Sequence, residues 1–190
     1  EKIGYPYADS GHISDRLRFL EQVAREQKPF WGNAYVVTTH GQRMDKVQYL
    51  IGVLEGAHNV LPLVGVAGTC SAYHRALQGL EGFGSFMAAQ VVADLKNTCF
   101  HPLANAPDWW SFVAIGPGSK RGLNRVLGNE VTAPMSPMMF DLQLADLHLE
   151  VADQISKMCA QDLQNCLCEF DKYERVRLGE GRSKRKYDGR

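Results

Sequence analysis

Apolar residues along the chain recur mostly three and four positions apart, the spacing of one buried helix face. Ile13, Leu17, Leu20 and Ala24 keep this period behind Ser14, a capping residue, and predict a helix over about 14–27 that Lys28-Pro29 stops. Met44, Val47, Leu50, Ile51 and Leu54 predict a second helix over 42–54, with Gly56 as its C-terminal cap. Between these two, the aromatic and β-branched stretch 30–39 fits an extended segment or a short helix, and the apolar stretch 61–68 fits a strand or a loop. Two helices, about 69–78 and 85–96, meet at a glycine corner, and a connection with Pro, Asn and Trp follows over 101–110. Gly116-Pro117-Gly118 breaks the chain before a helix that Ser119 caps and that runs through Leu127. The longest helix is expected over 138–158, carried by Phe140, Leu144, Leu147, Val151 and Ile155, and a further one over 161–176. The pattern is all-α, with a single helical domain over 1–178 and no internal repeat. The remaining 179–190, with Arg182-Ser183-Lys184-Arg185-Lys186-Tyr187, reads as a basic C-terminal tail.

Composition narrows the functional classes. Hydrophobic residues make up 45% of 190 residues, enough for a sizeable core, and the formal net charge is zero. A chain of this balance does not coat nucleic acid by bulk charge, so any such contact comes from local clusters. Five cysteines, with Cys166 and Cys168 too close for a zinc knuckle, read as free thiols that pack as small apolar residues in a reducing compartment. His40, His58, His74, His101 and His148 show no metal-ligand spacing, so neither a metal nor a cofactor is expected. No apolar run reaches the ~20 residues of a membrane span, and Glu1-Lys2-Ile3-Gly4 shows no secretory leader. The expected location is cytoplasmic.

Four constellations can carry chemistry. In the first, over 77–91, Gly82 and Gly84 flank Phe83 between two helices, the spacing of a helix-hairpin-helix covering about 69–96. Glycine permits positive φ in the corner, and the N–H groups opening the next helix, from Ser85, suit a phosphate; the plain alternative is a glycine-capped αα-corner. In the second, Gly116, Gly118, Ser119, Lys120 and Arg121 form a glycine-rich turn opening a helix with hydroxyl and cationic groups, able to cradle a diphosphate. Its spacing is not that of a Walker A loop, and an ordinary capped loop with solvated charges is the alternative. The third, over 167–177, places Glu169, Lys172 and Tyr173 near one helical face, and Asp171 and Arg175 four apart. Surface ion pairs are the favoured reading there; the other has Lys172 and Arg175 meeting phosphates. The basic tail is the fourth, suited to nucleic-acid backbone or simply solvated. Among single residues, Asp94 sits near the C-terminal end of the hairpin helix, where an acid opposes the helix dipole. Asp108 reads as a helix N-cap before Trp109-Trp110, and Asn33 as a buried hydrogen-bonding residue.

Together, the Gly-Phe-Gly-Ser-Phe-Met-Ala-Ala-Gln-Val-Val-Ala-Asp-Leu hairpin, the Ile-Gly-Pro-Gly-Ser-Lys-Arg-Gly-Leu turn, the Leu-Cys-Glu-Phe-Asp-Lys-Tyr helix and the Gly-Glu-Gly-Arg-Ser-Lys-Arg-Lys-Tyr tail carry a resemblance over about 30–187. The chain resembles the α-glutamyl/putrescinyl thymine pyrophosphorylases, the amino-acid:DNA transferases of bacteriophages that hypermodify thymine. Their helical module also accompanies the 5-hydroxymethyluracil DNA kinases. The resemblance implies a helical fold related to helix-hairpin-helix DNA glycosylases. It implies a transferase in which an amine, from an amino acid or polyamine, displaces pyrophosphate from 5-pyrophosphoryloxymethyl-deoxyuridine in DNA. Gly116, Gly118, Ser119, Lys120 and Arg121, with Lys172, would then hold the leaving group. Gly82, Gly84, Ser85 and Arg175, with Arg182, Lys184 and Arg185 of the tail, would hold the DNA. Asp94, and after it Glu169, is the expected carboxylate for the amine. The partners would be DNA with a modified pyrimidine and an amine co-substrate, with no membrane, in the cytoplasm of a bacterial host if the chain is phage-encoded. Two departures matter. The position aligned to the glycosylase aspartate falls in Gly116-Pro117-Gly118, which argues against base excision. Gln164 and Asn165 stand where relatives often carry an acid-His pair. The competing readings are a glycosylase for a modified base and a non-catalytic DNA-binding module such as the helical part of a kinase.

Overall fold

The computed structural model describes residues 13–26, 38–64, 68–152, 154–155 and 157–181. Among these are seven α-helices and no strand: α1 Ile13–Glu26, α2 Lys46–Val64, α3 Cys70–Leu77, α4 Ser85–Lys96, α5 Pro117–Val126, α6 Pro137–Ala152 and α7 Ala160–Arg177, with a 3-10 turn at Pro102–Asn105. The all-α expectation holds. The stretch 30–37, Asn33 within it, and Arg182, Lys184 and Arg185 of the tail lie outside the described residues.

Three boundaries depart from the periodicity, both ends of α2 and the end of α6. Asp45 caps α2, its carboxylate accepting the Val47 N–H at 2.8 Å. The helix then passes through Gly56 to Val64, so Gly56 is interior rather than a cap and 61–64 is helical. An interior glycine weakens a helix by only about 1 kcal/mol, too little to end one. Helix α6 stops at Ala152, six residues before the expected end. There the N–H groups of Gln154 and Ile155 both turn back to the Val151 carbonyl, and Lys157 takes a positive φ of 70°. Asp162 then caps α7, accepting the Cys159 N–H at 3.0 Å. Ile155, expected to bury with Val151, is left exposed.

The buried side chains form two clusters. One joins α3 and α4 to the segment 103–114 through Tyr73, Leu77, Ala88, Val92, Leu103 and Phe112. The other joins α5, α6 and α7 through Leu123, Phe140, Leu144, Leu163 and Leu167. Asp108 strengthens the first cluster from outside its own turn. Its carboxylate accepts the N–H groups of Cys70 (2.7 Å) and Ser71 (2.9 Å) and the Ser71 hydroxyl (2.7 Å), so it caps α3 from the far side of the lobe. Burial alone would raise its pKa, but these donors outweigh burial and hold it below the ordinary carboxylate value.

Lys96 links the clusters. It is 2% exposed, and its ammonium donates to the Trp109 carbonyl at 3.2 Å and to Cys159 Sγ at 3.0 Å while lying 4.6 Å over the Trp109 ring. Trp109 returns a bond from its indole N–H to the Lys96 carbonyl at 2.9 Å. The end of α4 is thereby tied to the start of α7.

Candidate nucleic-acid and diphosphate site

The hairpin of the first constellation is formed. Gly82 has a positive φ of 83°, and a Cβ there would lie 2.8 Å from the Tyr49 hydroxyl and 3.1 Å from Val53 Cγ2 of α2. Both the turn and the close approach to α2 therefore require glycine. Gly84 differs: its backbone is ordinary and extended, and the space where a Cβ would stand is open. It begins α4 without a side-chain cap, leaving that helix end open above it. His74 braces the corner from α3, its Nε2 2.9 Å from the Ser85 carbonyl and its Nδ1 3.1 Å from Gln78 Nε2. The consistent tautomer carries its proton on Nε2 and donates to Ser85.

The second constellation begins α5, but not where Ser119 would cap it. Gly116 is the N-cap, Pro117 opens the helix, and Ser119 stands in the first turn. Ser119 is fully buried; its hydroxyl donates to the Gly116 carbonyl (3.0 Å) and accepts the Gly116 N–H (3.1 Å). That hydroxyl shapes the turn and has no proton left to give a ligand. Gly118 packs against α7: a Cβ on it would lie 2.6 Å from Cys168 Sγ. One turn on, a Cβ on Gly122 would lie 2.0 Å from the Leu167 carbonyl oxygen. Glycines four apart on one helix face let α5 and α7 cross nearly backbone to backbone, and this is the most extensive helix pairing among the described residues.

That close crossing creates a charge cluster. Asp171 on α7 is fully buried, and its carboxylate accepts Arg121 Nε at 2.9 Å and Arg125 Nε at 3.2 Å. Arg175 Nε completes an ion pair with it at 3.3 Å. Arg125 turns its other edge to Glu180, whose hydrogen bond, with that of Asp171, raises the Arg125 pKa above its ordinary value. Arg121 and Arg175 remain 30% and 38% exposed while paired with Asp171 through their Nε atoms.

Both arginines line a cleft of about 720 Å³ between α4, the 114–118 turn and α7. Ser85, Gly116, Gly118, Ser119, Arg121, Glu169, Lys172 and Arg175 all line it. The structure thus brings hairpin, turn and third helix to one place, and the starts of α4 and α5 both reach it. Glu169 and Lys172 form an ion pair three residues apart at its rim. Four expected members are not among the lining residues: Gly82 and Gly84 of the corner, Lys120 and Asp94. The Lys120 ammonium is bound to the Met135 carbonyl at 2.9 Å. Asp94 lies exposed in the last turn of α4, nine residues from Ser85, about 13–14 Å along the axis, and does not line the cleft. From the sequence Asp171 was read only as a local partner of Arg175, and Gly122 was given no role, because their further partners lie on another helix.

Among the described residues no group of three or more His, Cys, Asp or Glu gathers as a metal site, and no helix is long and apolar enough to cross a membrane. Cys70, free and buried, has its thiol pushed up to about 11 by burial and by the Asp108 charge.

The family model for the helical domain of 5-hmdU DNA kinases matches residues 1–183. The chain belongs to that family. No curated protein sequence matches the chain, and neither does any solved structure. The match spans both buried clusters and every residue that lines the cleft. Three of the four segments that carry the resemblance in the sequence, those that include α4, the 114–118 turn and α7, border the cleft.

Proposed function

We propose that this helical domain acts in DNA modification, on a pyrimidine whose 5-hydroxymethyl group carries a diphosphate, and that it replaces the diphosphate with an amine. The observation that carries the reading is the arginine pair Arg121 and Arg175, tied from behind to a fully buried Asp171 and opening on a cleft where α4 and α5 begin. Guanidiniums held by one edge keep their planar donors aimed, so little side-chain entropy is lost when a phosphate binds. Helix starts add N–H donors and positive dipole ends.

The chemistry asks for three things. The base leaves the DNA stack so that its 5-methylene carbon reaches the cleft, with the backbone held at the Gly84-Ser85 end of α4. Arg121, Arg175 and Lys172 stabilise the charge that gathers on pyrophosphate as its C–O bond breaks. The amine forms the C–N bond and yields one proton, so pyrophosphate and the N-substituted base are the products. Glu169 is the carboxylate in position to orient the amine and take that proton, in place of Asp94.

A second reading has one observation in its favour, the membership in a kinase-associated family. There the domain holds the phosphorylated base for a kinase and transfers nothing. Incubation with DNA carrying 5-pyrophosphoryloxymethyl-deoxyuridine and a panel of amines, followed by digestion and mass analysis of nucleosides, separates these. An amine adduct with pyrophosphate release supports the transferase. Tight binding without an adduct replaces it by the holding module. Free modified base would mean a glycosylase.

A further inference from the structure

The cleft is chemically divided along α7. Its cleft-facing residues run from Gln164 and Asn165 near the helix start to Lys172 and Arg175 near its end, about 12–16 Å apart along the axis. The far end is cationic. At the near end the polar side chains are carboxamides: Gln164, Asn165 and, across the gap on α4, Gln90. Apolar surface from Ala89, Ala114 and Ile115 completes that end. The gap there is fixed from behind, because Gln161, 1% exposed, donates its Nε2–H to the Ala89 carbonyl at 2.9 Å and hooks α7 to α4. Phe86 stands one turn before Gln90 on α4, 56% exposed and lining the same cleft.

Carboxamides select among the ligand parts that could lie there. A phosphate offers only acceptors and is better served by the cations at the other end. An aliphatic ammonium offers only donors and calls for a carboxylate. A pyrimidine ring has an edge of alternating donors and acceptors and an apolar face, which three carboxamides and an apolar wall match in kind. Resting on the reading of the cationic end as a diphosphate site, we infer that Gln90, Gln164 and Asn165 form a base-reading subsite. They take the hydrogen-bonding edge of the extruded pyrimidine, Phe86 gives it a stacking surface at the entrance, and its 5-substituent points along α7 to Lys172 and Arg175. The Gln164-Asn165 pair is thus a specificity element.

The test compares two probes on the full chain: inorganic pyrophosphate, and a single-stranded oligonucleotide with one 5-pyrophosphoryloxymethyl-deoxyuridine, measured against the same strand with thymine. Gln90→Met, Gln164→Met and Asn165→Leu remove the hydrogen-bonding atoms, keep side-chain volume close and suit a helix; thermal melting verifies folding. The expected result is a tenfold or greater loss of oligonucleotide affinity in Gln164→Met and Asn165→Leu, with pyrophosphate affinity within twofold of the parent. Parent-like oligonucleotide binding in all three folded variants overturns the subsite, and so does an equal loss for both probes. If the parent chain binds neither pyrophosphate nor the modified strand preferentially, the diphosphate reading fails, and with it this inference; that result comes from the parent alone and is distinct from a failure of the variants.

Discussion

Asp171 on α7 reaches across a helix crossing to accept Arg121 Nε of α5 at 2.9 Å, although fifty residues separate them in the chain. The carboxylate is fully buried while the arginine is part-exposed, so the pair converts an interior charge into an aimed surface cation. Removing either partner should give a different signature. Asp171→Asn leaves clustered guanidiniums without their counter-charge, which typically costs about 3–5 kcal/mol for a buried pair, and urea unfolding should register most of that loss. Arg121→Ala should cost far less stability and weaken pyrophosphate binding by tenfold or more. Lys120→Ala should do the reverse, losing about 1 kcal/mol from its bond to the Met135 carbonyl and leaving pyrophosphate affinity intact. Equal binding losses in Arg121→Ala and Lys120→Ala, read by calorimetry, would contradict this division.

Two helical glycines, Gly122 on α5 and Gly52 on α2, define a second contrast. A methyl group on Gly122 would collide with the backbone of Leu167, and backbone cannot swing aside as a long side chain can. Gly122→Ala should therefore cost 3 kcal/mol or more, above the usual overpacking range of about 1–3 kcal/mol. Gly52 on α2 has open space where its Cβ would stand, and Gly52→Ala should stabilise by about 0.5–1 kcal/mol through helix propensity alone. Thermal melting of the two variants beside the parent checks both signs.

These contrasts show which parts of the molecule were legible in the sequence. Helix periods and the Gly82 corner are encoded within a few residues and were readable, whereas the start of α5 was read at Ser119 and lies at Gly116-Pro117. Adjacent residues on a helix point about 100° apart, so Lys120 and Arg121 need not share a cleft, and the sequence does not say which of them faces it. Asp171 reads locally as a pair with Arg175 four residues on. Its bonds to Arg121 and Arg125 exist only because Gly118 and Gly122 let two helices meet, and that meeting is tertiary. Asp94 failed as a cleft residue for the same reason: its helix touches the site with its first turns, and Asp94 is in its last.

Asp108 makes stability depend on acid pH. Its folded pKa lies below the ordinary value of about 3.9, so the unfolded state binds its proton first as pH falls. The stabilisation is fully present above that ordinary value and is lost as pH drops through the folded pKa. Asp108→Asn keeps one acceptor oxygen but loses the charge and the second acceptor, and should be less stable than the parent at pH 7 by about 1 kcal/mol, the net worth of a lost hydrogen bond. The difference should shrink below pH 4. Denaturant titrations of both proteins at pH 7, 5, 4 and 3 give the curve, and a difference that persisted unchanged to pH 3 would remove the charge from the explanation.

The choice between Glu169 and Asp94 is settled by activity rather than by binding. Glu169 lines the cleft beside Lys172, whereas Asp94 stands on the outer end of α4. A carboxylate that takes the amine proton contributes typically 10²–10⁴-fold to rate, so Glu169→Gln should reduce turnover of the diphosphate-bearing DNA about a hundredfold or more. The neutral amide removes a negative charge from the rim, so pyrophosphate affinity should hold or rise. That separates loss of chemistry from loss of the ligand. Asp94→Asn should leave turnover within twofold of the parent. Pyrophosphate release measured for both variants beside the parent checks the contrast, and equal losses in the two would contradict it.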